Sequence, residues 1–300
     1  MRKTFLFEDL SESDLLVDAA YAGGSKGNVA DDPIDRVVGG GNQGGFRYLG
    51  SPRNNSLKLC VLYSELFDPD WPDELNPESG TFVYYGDNKK PGHELHKTPR
   101  GGNLILRSAF EDLHHGRRTS IPPFFIFTKG ETGRDVVFRG LAVPGAIGIP
   151  QTEDLVAIWK TKGGQRFQDY RAIFTILDVS SISRMWLNDL RRGARLSEKA
   201  PGPWVKWING GAYTPLEAIA VTRLRSRAQQ LPALLSQVSA LSNSSQPMDP
   251  KLQAELERLI RAEAQRTEQE NFDWACGMVV GLIVLVGFAL FILMAMGASH

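Results

Sequence analysis

Over its first two-thirds the chain sets short apolar blocks between polar turns, and few of these blocks have the three-to-four-residue spacing of a helix face. Residues 57–63, 81–85 (TFVYY), 121–128 (IPPFFIFT), 136–143 and 171–177 combine β-branched and aromatic side chains with flanking Gly, Pro, Asn or Asp, which predicts strands. Residues 5–20 form a short amphipathic segment, and a short element starts at Asp31-Asp32-Pro33 and ends at Gly39-Gly40-Gly41. Residues 153–159 and 183–192 predict helices packed on the sheet. Several strands at this spacing, with few long helices, predict an α+β domain over 1–213 built on a closed or strongly curved sheet. The segment PGPWVKWINGGAY (201–213) closes it.

The pattern changes after residue 213. Residues 214–241 are helical by spacing with a break at Pro232, and 242–250 (SNSSQPMDP) are a polar, proline-bearing linker. Asp249 and Pro250 then open an amphipathic helix over 251–273, with Leu252, Leu256, Leu259 and Ile260 on one stripe. Residues 274–298 run 25 positions without a charge, long enough to cross a hydrocarbon layer about 30 Å thick as a transmembrane helix. Within this span Gly277 and Gly281 form a GxxxG suited to helix pairing, and so to a homo-oligomer. The N-terminal MRKTFLFEDLSESDLL has no apolar secretory core. The expectation is a tail-anchored, single-pass protein whose large N-terminal domain stays in the cytoplasm.

Charge and cysteine content narrow the classes. The chain has 34 basic and 34 acidic residues, which excludes a protein coated in positive charge for indiscriminate nucleic-acid binding. A local basic stretch does occur between residues 88 and 118, with Lys89, Lys90, Lys97, Arg100, Arg107, Arg117 and Arg118 against Glu94, Glu111 and Asp112. It is either a solvated surface or a phosphate track. Two cysteines, Cys60 and Cys276, make neither a disulfide framework nor a zinc site, and fit a reducing compartment.

The chemistry concentrates in GTFVYYGDNKKPGHELHKTPRGGN (80–103). Tyr84, Tyr85 and Asp87 gather at a strand end followed by a glycine turn. Rings offer faces for a planar ligand such as a nucleobase, and a carboxylate accepts from its exocyclic amine. The same residues also suit a hairpin with core tyrosines. A second loop, GNQGGFR (41–47), presents Gln43 between glycines that let backbone approach a ligand, or is a flexible turn between strands. The loop DPDWPDEL (68–75) carries Trp71. HELH (93–96) spaces its histidines by three in a loop, not by four on a helix as a zinc-protease site requires, and no GxSxG, P-loop or dinucleotide fingerprint is present. Neither metal nor cofactor is expected.

Taken together, GNQGGFR, WPD, FVYYGDNKKPGHELHKT, GGNLIL, IPPFFIF, FRGLAVPG, WKTKGGQRFQDYRAIFTILD and PGPWVKW resemble the N-terminal domain of the AspBHI and MspJI family of modification-dependent restriction endonucleases, over about residues 5–213. That resemblance implies an SRA-like curved β-barrel with flanking helices. It also implies double-stranded DNA carrying 5-methyl- or 5-hydroxymethylcytosine as the partner, read by flipping the base. By the same resemblance Tyr84 or Tyr85 and Trp71 would stack on the base and Asp87 would read its Watson–Crick edge. Gln43 would probe the DNA or fill the vacated space, and Lys89, Lys90 and Arg100 would hold phosphates.

Family members carry a C-terminal nuclease with a Glu/Gln-x-Lys element, whereas this chain continues as helices and an apolar span. The resemblance with that departure implies a non-catalytic sensor at a bacterial inner membrane, acting in defence against phage with modified genomes. The alternatives are a recognition subunit that recruits a separately encoded nuclease or effector protein, and a passive tether with a diverged pocket.

Overall fold

A computed structural model of the chain describes residues 2–41, 44–52, 56–66 and 68–216. Strands β1 (Thr4–Phe5), β2 (Leu15–Leu16) and β3 (Ala20–Tyr21) precede helix α1 (Pro33–Val38). Strands β4 (Phe46–Leu49), β5 (Leu59–Ser64), β6 (Glu74–Asn76) and β7 (Thr81–Tyr85) lead to α2 (Gly102–His114). Then come β8 (Phe124–Lys129), β9 (Val136–Pro144), the single turn α3 (Gln151–Asp154), β10 (Leu155–Lys162), β11 (Gln165–Ile176) and β12 (Ser181–Ile182), followed by α4 (Arg184–Arg192) and α5 (Gly202–Gly210).

The main sheet runs β4-β5-β8-β9-β11-β7-β6, with β10 added to β11 and the short β3 and β1 joined at β9. Most pairs are antiparallel, but β5 and β8 are parallel, so the chain between them must cross over, and it does so through β6, β7 and α2. Strand β8 reads as a continuous apolar run because both faces are covered. On one side Phe124 lies 4.9 Å from Phe174, which meets Phe110 of α2 at 5.5 Å. On the other, Phe125 sits edge-on to Trp186 of α4 at 6.2 Å, and Trp204 and Trp207 of α5 extend that aromatic layer.

One irregularity interrupts the β8–β9 ladder, between Ile126 and Phe127. Gly140 sits there at φ 139°, and a Cβ on it would meet Ile176 Cγ2 at 2.5 Å. Only glycine fits both the backbone angle and the contact.

The expected closed barrel is not what forms. The sheet ends at β4 on one side and β6 on the other, with no backbone pairing between them among the described residues. The terminal strands, four and three residues long, meet other elements through side chains and loops instead. Helix α4 forms as expected, with Ser183 accepting from Trp186 N–H at its start and Gly193 in the left-handed region at its end. The helix expected at 153–159 is a strand from Leu155 onward, with Glu153 and Asp154 in the single turn of α3, and a Gly163-Gly164 turn returns the chain along β11. Residues 5–20 break into short strands and a 3-10 turn rather than one amphipathic element.

Among the described residues no helix is long and apolar enough to cross a membrane. The expected helices, linker and span over 217–298, with Gly277 and Gly281, lie outside the described residues, as does Gln43.

Arg184 ties α4 to the N-terminal segment. Its guanidinium is 8% exposed and donates to the carbonyls of Ser13 at 3.0 Å, Val37 at 2.8 Å and Leu10 at 2.9 Å. We predict that Arg184→Ala lowers unfolding free energy by about 3 kcal/mol, since it removes four buried charge-assisted bonds and leaves the Ser13 carbonyl without its donor. The neighbouring exposed Arg192→Ala should cost less than about 1 kcal/mol, both read by urea denaturation.

Candidate nucleic-acid interface

The start of β4, the end of β5 and the end of β7 come together at one end of the sheet and leave a cleft of about 380 Å³ between them, within the usual range for a small-molecule site. The antiparallel register pairs Phe46 with Leu62, so Gly44 and Gly45 lie beside Tyr63 and Ser64. Gly45 allows this approach: a Cβ there would stand 2.9 Å from Tyr63 O and 3.1 Å from the Tyr84 hydroxyl. The remaining walls come from Phe46, Glu65, Asp68, Trp71, Asp73, Tyr84, Gly86, Asp87, Lys89, Pro99 and Arg100.

Strand alternation separates the two tyrosines. Tyr84 lines the cleft, buried, with its ring 6.3 Å from Phe46. Tyr85 is not part of the lining and packs edge-on to Trp71 at 6.2 Å. Trp71 is itself buried, and the Lys89 ammonium lies 4.0 Å and the Lys160 ammonium 4.9 Å from its ring centroid. Arg100 also lines the cleft, while Lys90 is exposed and is not among its lining residues.

The basic stretch is partly neutralised. Lys97 pairs with Glu94, Arg107 with Glu111 and Arg117 with Asp112.

Asp87 borders the cleft, but its carboxylate is already committed. It accepts from Thr98 Oγ1 at 2.8 Å and from the backbone N–H groups of Gly102 at 2.8 Å and Asn103 at 2.9 Å. These are the first amides of α2, which has no side-chain cap of its own at Gly101. Asp87 thus holds the helix start, and with three donors on its two oxygens it has little acceptor capacity left for a base edge.

A second aspartate on the cleft wall, with fewer donors on it than Asp87, is Asp73 from the WPD motif. It accepts from Tyr85 N–H at 2.8 Å and is also bonded by the Ser64 side chain. Burial raises its pKa above the ordinary aspartate value, opposed by Ser64, the Tyr85 amide and the nearby Lys89 charge. Burial in turn lowers the pKa of Lys89, against Asp73, Asp169 and Asp68. The sequence pointed to the motif but only to its tryptophan; the alternation of apolar and polar residues around Trp71 carries no sign of which carboxylate the strand ends enclose.

Beneath the cleft lies Asp169, fully buried on β11. Its Oδ1 accepts from Asn103 Nδ2 at 2.9 Å and from the Tyr170 amide at 2.9 Å. Its Oδ2 and the buried Oδ1 of Asn88 have no bonding partner. Among the described residues no cluster of three metal-ligating side chains occurs. His96 bonds the Tyr170 hydroxyl at 2.8 Å, and His114 bonds Asp154.

The protein-family description "Restriction endonuclease AspBHI N-terminal" matches residues 15–219. The chain belongs to this AspBHI N-terminal family. Two solved structures share its mixed α+β fold. The DNA modification-dependent restriction endonuclease AspBHI is 48% identical with a TM-score of 0.68, the match covering 72% of this chain and 100% of that one. The DNA recognition domain of the cytosine modification-dependent restriction endonuclease LpnPI is 46% identical with a TM-score of 0.68, covering 73% and 97%. A search of curated proteins returns no match. Both parts of the cleft wall, β4–β5 and the WPD-to-β7 segment, fall inside the span that matches the AspBHI N-terminal family.

Burial pushes Asp169 up to about 6, above the ~3.9 of a solvated aspartate. Between these values the native protein keeps a proton that the unfolded chain has released, so stability rises as pH falls from about 6 towards 4. Asp169→Asn retains the acceptor and removes the charge. It should flatten that part of a pH–stability profile and leave the protein equally or more stable at pH 7, by an amount on the order of 1–2 kcal/mol. Asp87→Ala, which uncaps α2, should instead cost about 1–2 kcal/mol at pH 7.

Proposed function

We propose that this chain reads modified cytosine in duplex DNA by admitting a flipped base into the cleft between β4, β5 and β7. The observation that carries this reading is the enclosure of Tyr84, Trp71 and the half-buried Asp73 carboxyl by a chain 46% identical to a cytosine-modification recognition domain. Flipping costs a few kcal/mol of unstacking, which contacts inside the pocket must offset. Asp73 offers an oxygen to the exocyclic N4 amine, and its raised pKa suits a shared proton towards ring N3.

Tyr84 supplies apolar surface at the wall. A base entering over Trp71 takes the place of the Lys89 ammonium, which then turns with Arg100 and Lys90 towards phosphates. Gln43 adjoins the described Gly44 in sequence and is assigned the role of probing the DNA beside the cleft. The chain is proposed to act by recognition rather than by cutting, at a bacterial inner membrane, with the uncharged run 274–298 as anchor and the domain on the cytoplasmic side.

Matched duplexes containing cytosine, 5-methylcytosine or 5-hydroxymethylcytosine test this at near-physiological salt. The full chain should prefer a modified duplex, and Asp73→Ala should lose roughly 10- to 100-fold of that preference. Equal binding to all three by the wild type would overturn the reading. For the anchor, removal of 274–300 should move the protein from the membrane fraction to the supernatant; retention in membranes would remove that part of the proposal.

A further inference from the structure

The β10–β11 ribbon extends beyond the sheet that forms the cleft. The last β7 pair on β11 is Tyr85 with Arg171. From Tyr170 to the turn, the ribbon runs roughly 20 Å further at about 3.4 Å per residue, held by β10 on one edge and by bonds from Gly86 N–H to Tyr170 O and from Asn88 Nδ2 to Gln168 O on the other. Its two faces differ. On one face Lys160 donates to Asp70 O at 2.6 Å and its cross-strand partner Phe167 packs on Trp71 at 6.1 Å. That face braces the cleft wall.

The opposite face carries Trp159, which is 57% exposed and among the described residues is the one exposed aromatic ring. The Arg166 guanidinium lies 4.5 Å from its ring centroid. The whole stretch from 155 to 168 contains Lys160, Lys162 and Arg166 and no acidic residue. Arg166 shares the Trp159 face and Lys162 the Lys160 face beside the turn, and both are exposed. The bounding acids, Asp154 and Asp169, are buried and bonded inside the protein. An exposed ring beside a guanidinium on a rigid, purely basic ribbon suits a polyanion with stacked or sugar surfaces next to its phosphates.

We propose that this ribbon is a second DNA-contacting arm, with Lys162 and Arg166 on phosphates flanking the flipped nucleotide and Trp159 packed on the adjoining sugar or base. The proposal rests on the cleft being the base site, because the arm's other face is that site's wall. The arm contributes affinity along the duplex, while discrimination between modified and unmodified cytosine stays with the cleft.

Full-length Trp159→Ala, Lys162→Ala and Arg166→Ala variants, and the triple variant, test this with modified and unmodified duplexes over a salt series. Each basic deletion should weaken binding to both duplexes by a similar factor, lower the slope of log K against log salt by about 1, and leave the preference ratio and the melting temperature unchanged. Trp159→Ala should weaken binding at unchanged slope. If the triple variant binds the modified duplex like the wild type with the same slope, the arm does not touch DNA. A simultaneous loss of self-association in sedimentation would then assign the face to a protein contact. If the wild type shows no preference but the basic deletions still weaken both complexes, the arm stands and the cleft reading falls.

Discussion

The carboxylate of Asp87 ties the end of β7, the Thr98 loop and the start of α2 together. It follows the end of β7, and its two oxygens receive the first amides of α2 and the Thr98 hydroxyl. Asn103, whose own amide is one of those donors, passes the connection on: its side-chain oxygen accepts from the Asp87 amide at 3.1 Å, and its nitrogen reaches Asp169 on β11. A negative charge at an otherwise uncapped helix start is favourable both as hydrogen-bond acceptor and against the helix dipole. With the bonds of Asn88 to Gln168 O and His93 O, the Asp87 carboxylate fixes the loop from Asn88 to Gly101, which supplies Lys89, Pro99 and Arg100 to the cleft.

This arrangement explains why the sheet stays open. Closing β4 onto β6 or β7 by backbone bonds would fill the space in which Phe46, Tyr63, Tyr84 and Asp73 converge. The fold meets the need to bury apolar area in another way, with α2 on one face of β8 and the tryptophan layer of α4 and α5 on the other. Gly45 and Gly140 are two positions in or beside the sheet where a Cβ would crowd a neighbour.

Strand β7, the flanks of α1 and α4, and the core of β8 and β9 were legible in the sequence, because β-branched and aromatic runs bounded by turn residues, and Asp-Pro or Ser caps, have local causes. Strand β10 was not, since VAIWKTK carries charges and a tryptophan that suit a helix face as well, and only pairing with β11 decides the matter. Helix α2 was hidden in a stretch whose glycines and basic residues drew attention to loop chemistry. In the site, the aromatic members and Lys89 could be named from the motif. The capture of the Asp87 carboxylate by the helix start could not, because it depends on three-dimensional packing between residues well separated along the chain.

The two-residue turn at Gly163-Gly164, with φ of 58° and 75°, locks the register of the ribbon it closes. Adjacent residues Trp159 and Lys160 therefore answer to different surroundings, one outward and one against the cleft wall. Substitutions can vary either face while sparing the other, so the outer surface and the cleft wall are separable in the course of divergence. A single inserted or deleted residue in β10 has the opposite character: it would turn the tryptophan inward and the lysine outward together, and both faces would change in one step.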